Sequence, residues 1–446
     1  MRNDDTIAAI ATALGRGGIG VVRVSGLGVG EVVNQIVSAA LKPRVATLSK
    51  FLDSGGEAID EGIALFFPSP HSYTGQDVLE LQGHGGPLVL QRLLKRCLES
   101  GARAAEPGEF TWRAYLNGKL DLAQAEAVAD LIDASTEQAA RCAARSLSGE
   151  YSYKIQLVNK LLVELRTLTE ATLDFPEEDI DLATRNGQEA RLAAVQVGLS
   201  ALLAASAQGS LLREGVHVVL AGQPNVGKSS LLNQLARQDI AIVTEIPGTT
   251  RDAIRQSINL DGVPVHMVDT AGLRETNDPV ERIGVERAWA AIEKADVVLL
   301  LIDAGHGETE ADREILARLP NRMQCIRVLN KIDLAELPVQ RAQVDGAETV
   351  WLSAKTGAGV ELLSRALKQA IGWEGNVEGI FMAHTRHLEA MCRAQAGLAR
   401  AATEMARQEL FAEEIRLAHE ALMSITGEFT PDDLLGEIFS RFCIGK

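Results

Sequence analysis

The sequence predicts a multidomain protein that mixes α+β and α/β architecture. It reads as an N-terminal α+β domain, a helical bundle, and a doubly wound, mostly parallel α/β domain inserted into that bundle. Three observations carry this expectation. A chain of 446 residues exceeds what one hydrophobic core usually organises, which favours two or three domains. The texture changes along the chain, from short β-like runs punctuated by glycine, to Leu/Ala/Glu/Arg-rich stretches, to alternating strand and helix. The helical texture then returns near the end, so an α/β unit with nearby termini sits between two parts of one bundle.

The first texture, residues 1–118, has strand-like runs at Ile7–Ala11, Gly20–Val24, Gly62–Phe67 and Asp77–Gln82, with helical periodicity at Gly30–Ala40 and Gly86–Ser100. The second, 119–213, repeats apolar residues at three and four: Leu122, Ala125, Ala129 and Ile132, then Leu157, Leu161, Leu165 and Leu168. Pro176, inside an acidic DFPEEDID turn, separates at least two helices there. Across 214–373, the runs VHVVLA, VPVHMVD, DVVLLLID, CIRVLN and TVWLS are each followed by a polar loop and a helical segment, the pattern of a parallel sheet. Residues 374–446 return to the bundle texture, most clearly from Thr385 to Met423.

Composition narrows the function classes. Acidic residues outnumber basic ones, 60 to 44, for a formal net charge of −16. That balance argues against gripping nucleic acid through an overall field, though not against a local patch. Aromatics at 4% leave little material for base-stacking platforms. The N-terminus MRNDDTIAAI carries two aspartates and does not read as a secretory signal. The longest apolar runs, such as Val297–Ile302, are strand-sized, so no membrane span is expected. Five scattered cysteines without a CxxC pair signal neither a disulfide framework nor a zinc site, and a reducing cytoplasm is the simplest home.

One motif fixes the chemistry. Gly222-Gln223-Pro224-Asn225-Val226-Gly227-Lys228-Ser229 matches GxxxxGK[ST], follows a strand and opens a helix. Glycines there let successive backbone amides face an anion at a helix N-terminus. Lys228 can reach the β- and γ-phosphates, and the Ser229 hydroxyl can ligate Mg²⁺. Three downstream strings refine the reading. Asp269-Thr270-Ala271-Gly272 would place a carboxylate near the metal and an amide near the γ-phosphate. Asn330-Lys331-Ile332-Asp333 offers a carboxylate that accepts from guanine N1–H and its 2-amino group, a donor pair adenine lacks. Ser353-Ala354-Lys355 can buttress the base. All four strings come at strand C-termini, in an order that resembles the translation-factor-like GTPases. Pro247-Gly248-Thr249-Thr250-Arg251-Asp252 looks like a first switch, with Thr250 a second Mg²⁺ ligand. Leu273 follows the DTAG string, where Ras-like proteins keep a water-orienting glutamine. Hydrolysis must therefore borrow polar groups from Arg274, Glu275, Asp278, Glu281 or Arg282, or rely on an external activator; spacing alone leaves both open.

The whole chain resembles the MnmE (TrmE) family of bacterial tRNA-modification GTPases. The resemblance rests on the loop Gly222–Ser230, the PGTTRD switch at Pro247–Asp252, DTAGLR at Asp269–Arg274, Val280–Ala288 and the ending Phe442-Cys443-Ile444-Gly445-Lys446. It implies a G domain inserted into a helical domain and an N-terminal domain that binds a tetrahydrofolate derivative (5-formyl or methylene) and forms a homodimer. It also implies K⁺ held by the Asn225 side chain with backbone help from Thr244, Ile246 and Thr249, and water oriented by Glu281. GTP contacts would come from Asn225, Val226, Gly227, Lys228, Ser229 and Ser230, and from Thr244, Glu245, Ile246, Pro247, Gly248, Thr249 and Thr250. Asp269, Thr270, Ala271, Gly272, Asn330, Lys331, Asp333, Ser353, Ala354 and Lys355 would complete that set.

The folate contacts implied by the resemblance fall on Arg23, Glu80, Lys119 and Lys446; on spacing alone, the first two read as outward strand charges and Lys119 as a turn lysine. Cys443 becomes a candidate for the modification step, while His84 in the QGHGG turn reads more readily as a strand-end cap than as a catalytic group. The implied function is wobble-uridine modification of tRNA with a flavin-dependent partner, MnmG (GidA), in a heterotetramer or larger assembly. A competing reading, a regulatory GTPase of ribosome assembly, calls for a basic RNA-binding appendage that this acidic chain does not display. A purely structural helical scaffold is hard to reconcile with intact nucleotide motifs.

Overall fold

The computed structural model describes residues 5–13, 15–174, 182–238, 255–269, 286, 288–320, 323–375, 379–428, 432–440 and 442–445; of these, the side chains of 174, 182–185, 237, 238, 255, 256, 269, 432–434 and 437 are not described. The chain falls into two compact units. One comprises Met1–Ala129, Ser146–Leu192 and Ala396–Lys446; the other comprises Asp130–Arg145 and Ala193–Gln395.

The first unit holds a six-stranded sheet. In chain order its elements are β1 (Ile7–Ile10), β2 (Gly20–Ser25), α1 (Val29–Ile36), β3 (Thr47–Leu52), β4 (Ala58–Phe67), β5 (Val78–Gly83), α2 (Pro87–Glu99), β6 (Arg103–Ala104) and α3 (Glu109–Leu116). The strand order is β3-β4-β5-β2-β1-β6, and only the β1–β6 pair is parallel. Alternation sorts the side chains by face. Ala8, Val22, Val24, Leu79 and Leu81 pack with Val29, Val32 and Ile36 of α1 and Leu90 and Leu93 of α2, while Ile7 and Ala9 pack with Phe110 of α3. The four predicted strands and two predicted helices are present. Missing from the expectation were β3, whose polar alternation TLSKFL suits an edge, the two-residue β6, and α3.

Those last two elements carry a buried charge network. Glu109 and Arg113 are fully buried and one helical turn apart, 3.0 Å between Oε1 and the guanidinium. Arg103 donates to Glu109 at 2.7 and 3.0 Å and to Asp5 at 2.8 and 3.1 Å, and Arg113 also donates to the Asp5 carbonyl at 2.7 Å and to Gln76 at 3.0 Å. Segments nearly a hundred residues apart in sequence are thereby tied together.

Beyond the sheet come α4 (Leu122–Asp133), α5 (Glu137–Leu147), α6 (Glu150–Asp174) and α7 (Leu182–Glu214). On α6 the buried face is Ile155, Val158, Leu162 and Leu165. The expected stripe is rotated from this and shares only Leu165 with it: Leu157 is exposed, while α6 packs against the helix Gln408–Met423. Within α7, Asn186–Glu214 is long and apolar enough to cross a bilayer by length and composition alone, a test that the core helix of a folded domain also passes. Polar residues interleave along it and bond within the protein: Gln188 donates to Gln408 at 2.9 Å, Ser200 accepts from Gln395 at 3.2 Å, and Gln208 donates to the Gly372 carbonyl at 2.7 Å. Leu192, Val195, Leu199, Leu202 and Leu212 of the same helix are buried.

The second unit holds a seven-stranded sheet. Its elements include β7 (Val216–Gly222), α8 (Lys228–Gln238), β8 (Arg255–Leu260), β9 (Val263–Asp269), β10 (Val297–Asp303), β11 (Gln324–Asn330), β12 (Gln340–Val344) and β13 (Ala347–Trp351). The order is β12-β13-β11-β10-β7-β9-β8; the five central strands are parallel and β12 and β8 pair antiparallel at the edges. The five strands expected from sequence are the parallel ones. Both missed edge strands enter two-residue hairpins, Asp261-Gly262 with φ 49° and 94° and Asp345-Gly346 with φ 50° and 75°. Asp-Gly between strand-like runs is the sequence signal for such turns.

The core of this sheet also takes in part of α5. Ala139, Cys142 and Ala143 pack with Val216, Val218, Val263 and Met267. Thr136 caps α5 by accepting from the Ala139 amide at 3.1 Å, and its hydroxyl donates to the Gly262 carbonyl at 2.7 Å. Thr136→Val keeps the shape but removes both the cap acceptor and the buried donor. It is expected to destabilise this unit by about 2 kcal/mol, read as a lowered denaturant midpoint for the full chain; an unchanged midpoint would show that water replaces the bond.

Candidate functional site

The nucleotide motifs converge on one edge of the parallel sheet. β7 ends at Gly222, β9 at Asp269, β11 at Asn330, and Ser353 follows β13 by two residues. All are carboxyl ends, where open α/β sheets place their ligand crevice. The loop after β7 curls through Gly222 (φ 135°), Asn225 (φ 62°) and Gly227 (φ 100°) before Lys228 opens α8. A Cβ on Gly222 would lie 2.3 Å from the Leu301 carbonyl oxygen, and one on Gly227 would lie 2.3 Å from Asn330 Nδ2. Both positions therefore need glycine for close approach as well as for left-handed backbone. Asn225 tolerates its left-handed φ because its short amide can bond locally. Its side chain is exposed, whereas Val226 is buried. Lys228 Nζ donates to the carbonyls of Gly222 and Gln223 at 2.8 and 3.2 Å, which folds the ammonium over the loop it serves.

Asn330 ties the site together. Its Nδ2 donates to the Val226 carbonyl at 2.7 Å, and its Oδ1 accepts from the Ala354 amide at 2.8 Å. One buried side chain thus links the phosphate loop to the Ser353–Lys355 loop. Asp333 Oδ1 accepts from Ser353 Oγ at 2.6 Å, so the carboxylate assigned to the base is oriented by the loop assigned to buttress it. Ser353 and Ala354 are buried; Lys355, Ser229, Ser230 and Asp333 are exposed.

Several expected contacts lie outside the described residues: Thr244, Glu245, Ile246, Pro247, Gly248, Thr249 and Thr250 of the first switch; Thr270, Ala271, Gly272 and Leu273 after β9; Arg274, Glu275, Asp278, Glu281 and Arg282; and Lys446. Asp269 is described in its backbone, which pairs with Leu220. The donor set suits GTP and Mg²⁺ chemically: a glycine cradle that any Cβ would fill, a lysine, a hydroxyl at the helix start and an oriented carboxylate. Among the described residues, no cluster of three or more His, Cys, Asp or Glu forms a separate metal site.

The second expected site is in the N-terminal sheet. Arg23 on β2 and Glu80 on β5 are register partners, and the guanidinium donates to Glu80 Oε1 at 2.9 and 3.0 Å. Gln82 donates to Glu80 Oε2 at 3.4 Å. The Arg23 guanidinium also lies 5.4 Å from the Tyr73 ring centroid and 5.8 Å from that of Phe110. Tyr73 sits in the 69–76 loop, where Lys119 Nζ donates to the Pro70 carbonyl at 3.2 Å. Burial pushes the Tyr73 phenol above its ordinary value, against a hydrogen bond with Thr111 at 2.8 Å.

The C-terminal tail reaches the same sheet. A Cβ on Gly445 would lie 2.3 Å from the Ile10 carbonyl oxygen, and the Cys443 carbonyl accepts from the Gly108 amide at 3.4 Å. Phe442 anchors the tail among Phe439, Leu122 and Ala125, and Cys443 is exposed. Paired charges and an aromatic wall suit a polar heterocycle with carboxylate appendages. His84 follows the last residue of β5, with its amide and ring Nδ1 each 2.7 Å from Asp60, as a strand-end cap would be.

Two family models match: the MnmE helical domain over residues 122–443 and the GTP-binding protein TrmE N-terminus over residues 6–119. Full-length relatives agree. The chain is 58% identical over 451 residues to the tRNA modification GTPase MnmE of Nitrosomonas europaea, covering 100% of both chains. It is 59% identical over 443 residues to that of Thiobacillus denitrificans, covering 99% of this chain and 98% of the relative.

Proposed function

Because the chain belongs to the MnmE family of tRNA modification GTPases, we propose that it hydrolyses GTP to drive wobble-uridine modification, adding an aminomethyl or carboxymethylaminomethyl group at uridine C5 with a flavin-dependent partner, MnmG (GidA). The observation that carries the nucleotide reading is the Asn330 clip, which makes the phosphate loop and the base loops one site. Backbone amides at the start of α8 and the Lys228 ammonium bind the phosphates, and Asp333, aligned by Ser353, accepts from the guanine edge.

Ser229 and Thr250 would hold Mg²⁺, which supplies charge neutralisation at the β- and γ-phosphates. Asn225, with backbone oxygens of Thr244, Ile246 and Thr249, would hold K⁺, which supplies the positive charge an arginine finger brings elsewhere. Leu273 cannot orient water, and Glu281 takes that role in this reading.

Residues 1–118 bind a 5-formyl- or methylene-tetrahydrofolate through Arg23, Glu80, Lys119 and Lys446 and form the homodimer; 119–213 and 374–446 make the helical domain and 214–373 the G domain. Cys443 serves the modification step. The assembly with the partner is cytoplasmic, and a net charge of −16 fits tRNA being held locally or largely by the partner.

Nucleoside analysis of tRNA from a strain lacking this chain tests the reading. Loss of the modified wobble uridine, restored by the full chain but not by one ending before Cys443, is expected; normal modification without the chain would reject it. GTP turnover is expected to be several-fold faster in K⁺ than in Na⁺, and equal rates would remove Asn225 from cation binding.

A further inference from the structure

We propose that Asp303 is a positioning residue for guanine recognition: it clamps Lys331 so that the Asn330–Asp333 turn presents the Asp333 carboxylate to the base. The inference rests on GTP being the ligand of this site. No nucleotide motif includes Asp303; in the sequence it is the last residue of an apolar strand run.

Asp303 closes β10, the strand between the one that delivers the phosphate loop and the one that delivers the base turn. Its Oδ2 accepts from Lys331 Nζ at 2.8 Å, and its Oδ1 accepts from the Gly305 amide at 3.0 Å. The next amide, Ala304, donates to the Asn330 carbonyl at 2.8 Å. Side chain and backbone of this corner therefore hold two consecutive residues of the base turn.

The turn needs holding. Lys331 adopts φ 68°, a left-handed conformation unfavourable for a residue with a Cβ. The chain then turns at once into the short helix Ile332–Ala335, with the Leu334 amide bonded to the Lys331 carbonyl at 3.0 Å. Asp333 lies two residues past the kink, and its carboxylate is aligned from the other side by Ser353. The Asp303–Lys331 pair is partly buried, with side chains 22% and 30% exposed, which places it above a freely solvated surface pair in strength. Lys331, chiefly, holds the Asp303 carboxyl below its ordinary value, against the opposing effect of burial.

The experiment is equilibrium binding of GTP and of inosine triphosphate, which lacks the 2-amino group, to the full chain and to Asp303→Ala. The expected result is a GTP Kd raised about tenfold and an inosine triphosphate Kd raised less, so that the preference for GTP falls. In a Lys331→Met background, Asp303→Ala is expected to add less than about a twofold further loss, because the ion pair is already gone. Asp303→Asn keeps the acceptor for Gly305 and the side-chain shape, and decides the same question if the alanine variant does not fold. A GTP Kd within about twofold of the parent, an unchanged GTP preference, or equal losses in both Lys331 backgrounds would overturn the proposal. A parent chain that does not bind GTP would instead reject the nucleotide reading on which it rests.

Discussion

Asp333→Asn is expected to weaken GTP binding by about a hundredfold or more and to turn the site toward xanthosine triphosphate. A carboxylate offers only acceptors, and guanine presents two donors to it, N1–H and the 2-amino group. Each hydrogen bond to a charged group contributes on the order of 1.5–3 kcal/mol, so losing the charge and opposing one donor with another removes most of the discrimination. Xanthine carries an oxygen where guanine has the amino group, and an amide meets that edge with one donor and one acceptor. The substitution leaves the turn intact, because an asparagine Oδ1 can still accept from Ser353 Oγ, now 2.6 Å away. Titration of the variant with both nucleotides is the measurement. GTP affinity within about threefold of the parent would take Asp333 off the base.

Glu109→Ala is expected to destabilise the N-terminal unit by about 3–5 kcal/mol, the cost of leaving a buried guanidinium with reduced compensation. Glu109 and Arg113 are both fully buried, and Arg103 and Asp5 complete the network at its rim. Burial alone raises the Glu109 carboxyl, but donors from Arg103, the Glu106 amide and Arg113 outweigh it, and the group titrates below its ordinary value. Asp5 is also lowered, chiefly by the hydrogen bond from Arg103.

The sign of the pH dependence follows. Both carboxyls have folded values below their unfolded ones, so their stabilisation is complete at neutral pH and is lost as acid takes the pH down through the folded values. The parent is therefore expected to lose stability between the ordinary carboxylate range and lower pH, and Glu109→Ala to show a flatter acid limb. Denaturant unfolding followed by circular dichroism at neutral and acid pH checks both. A neutral-pH loss under about 1 kcal/mol would mean that Asp5 alone compensates Arg113.

Legibility differed by element for physical reasons. The five parallel strands are continuous apolar runs because both faces are buried, and each announces itself without knowledge of its neighbours. The edge strands β3, β8 and β12 alternate with polar residues or are short, and only the Asp-Gly turns at 261–262 and 345–346 betray two of them. The α6 leucines show the limit of periodicity: Leu157 and Val158 both fit a helical stripe, and the partner helix decides which is buried. Residues 134–145 read as bundle, yet three of their side chains join the core of the second sheet, since small residues pack wherever backbones approach.

By itself, the sequence determined the ligand chemistry at the nucleotide site, because a phosphate loop and an NKID turn work through contiguous residues whose spacing is printed in the chain. It also determined the fold class and, through its family motifs, the class of reaction. Only the tertiary structure decided how those strings are coupled. Asn330 clips the phosphate loop to the base loops, Asp303 grips Lys331 from the neighbouring strand, and Thr136 holds the hairpin turn at Gly262. These contacts are single hydrogen bonds or an ion pair, two of them from Asn330, between residues 24 to 126 positions apart. Contacts at that separation depend on strand order and register, and no local pattern of residue types specifies them.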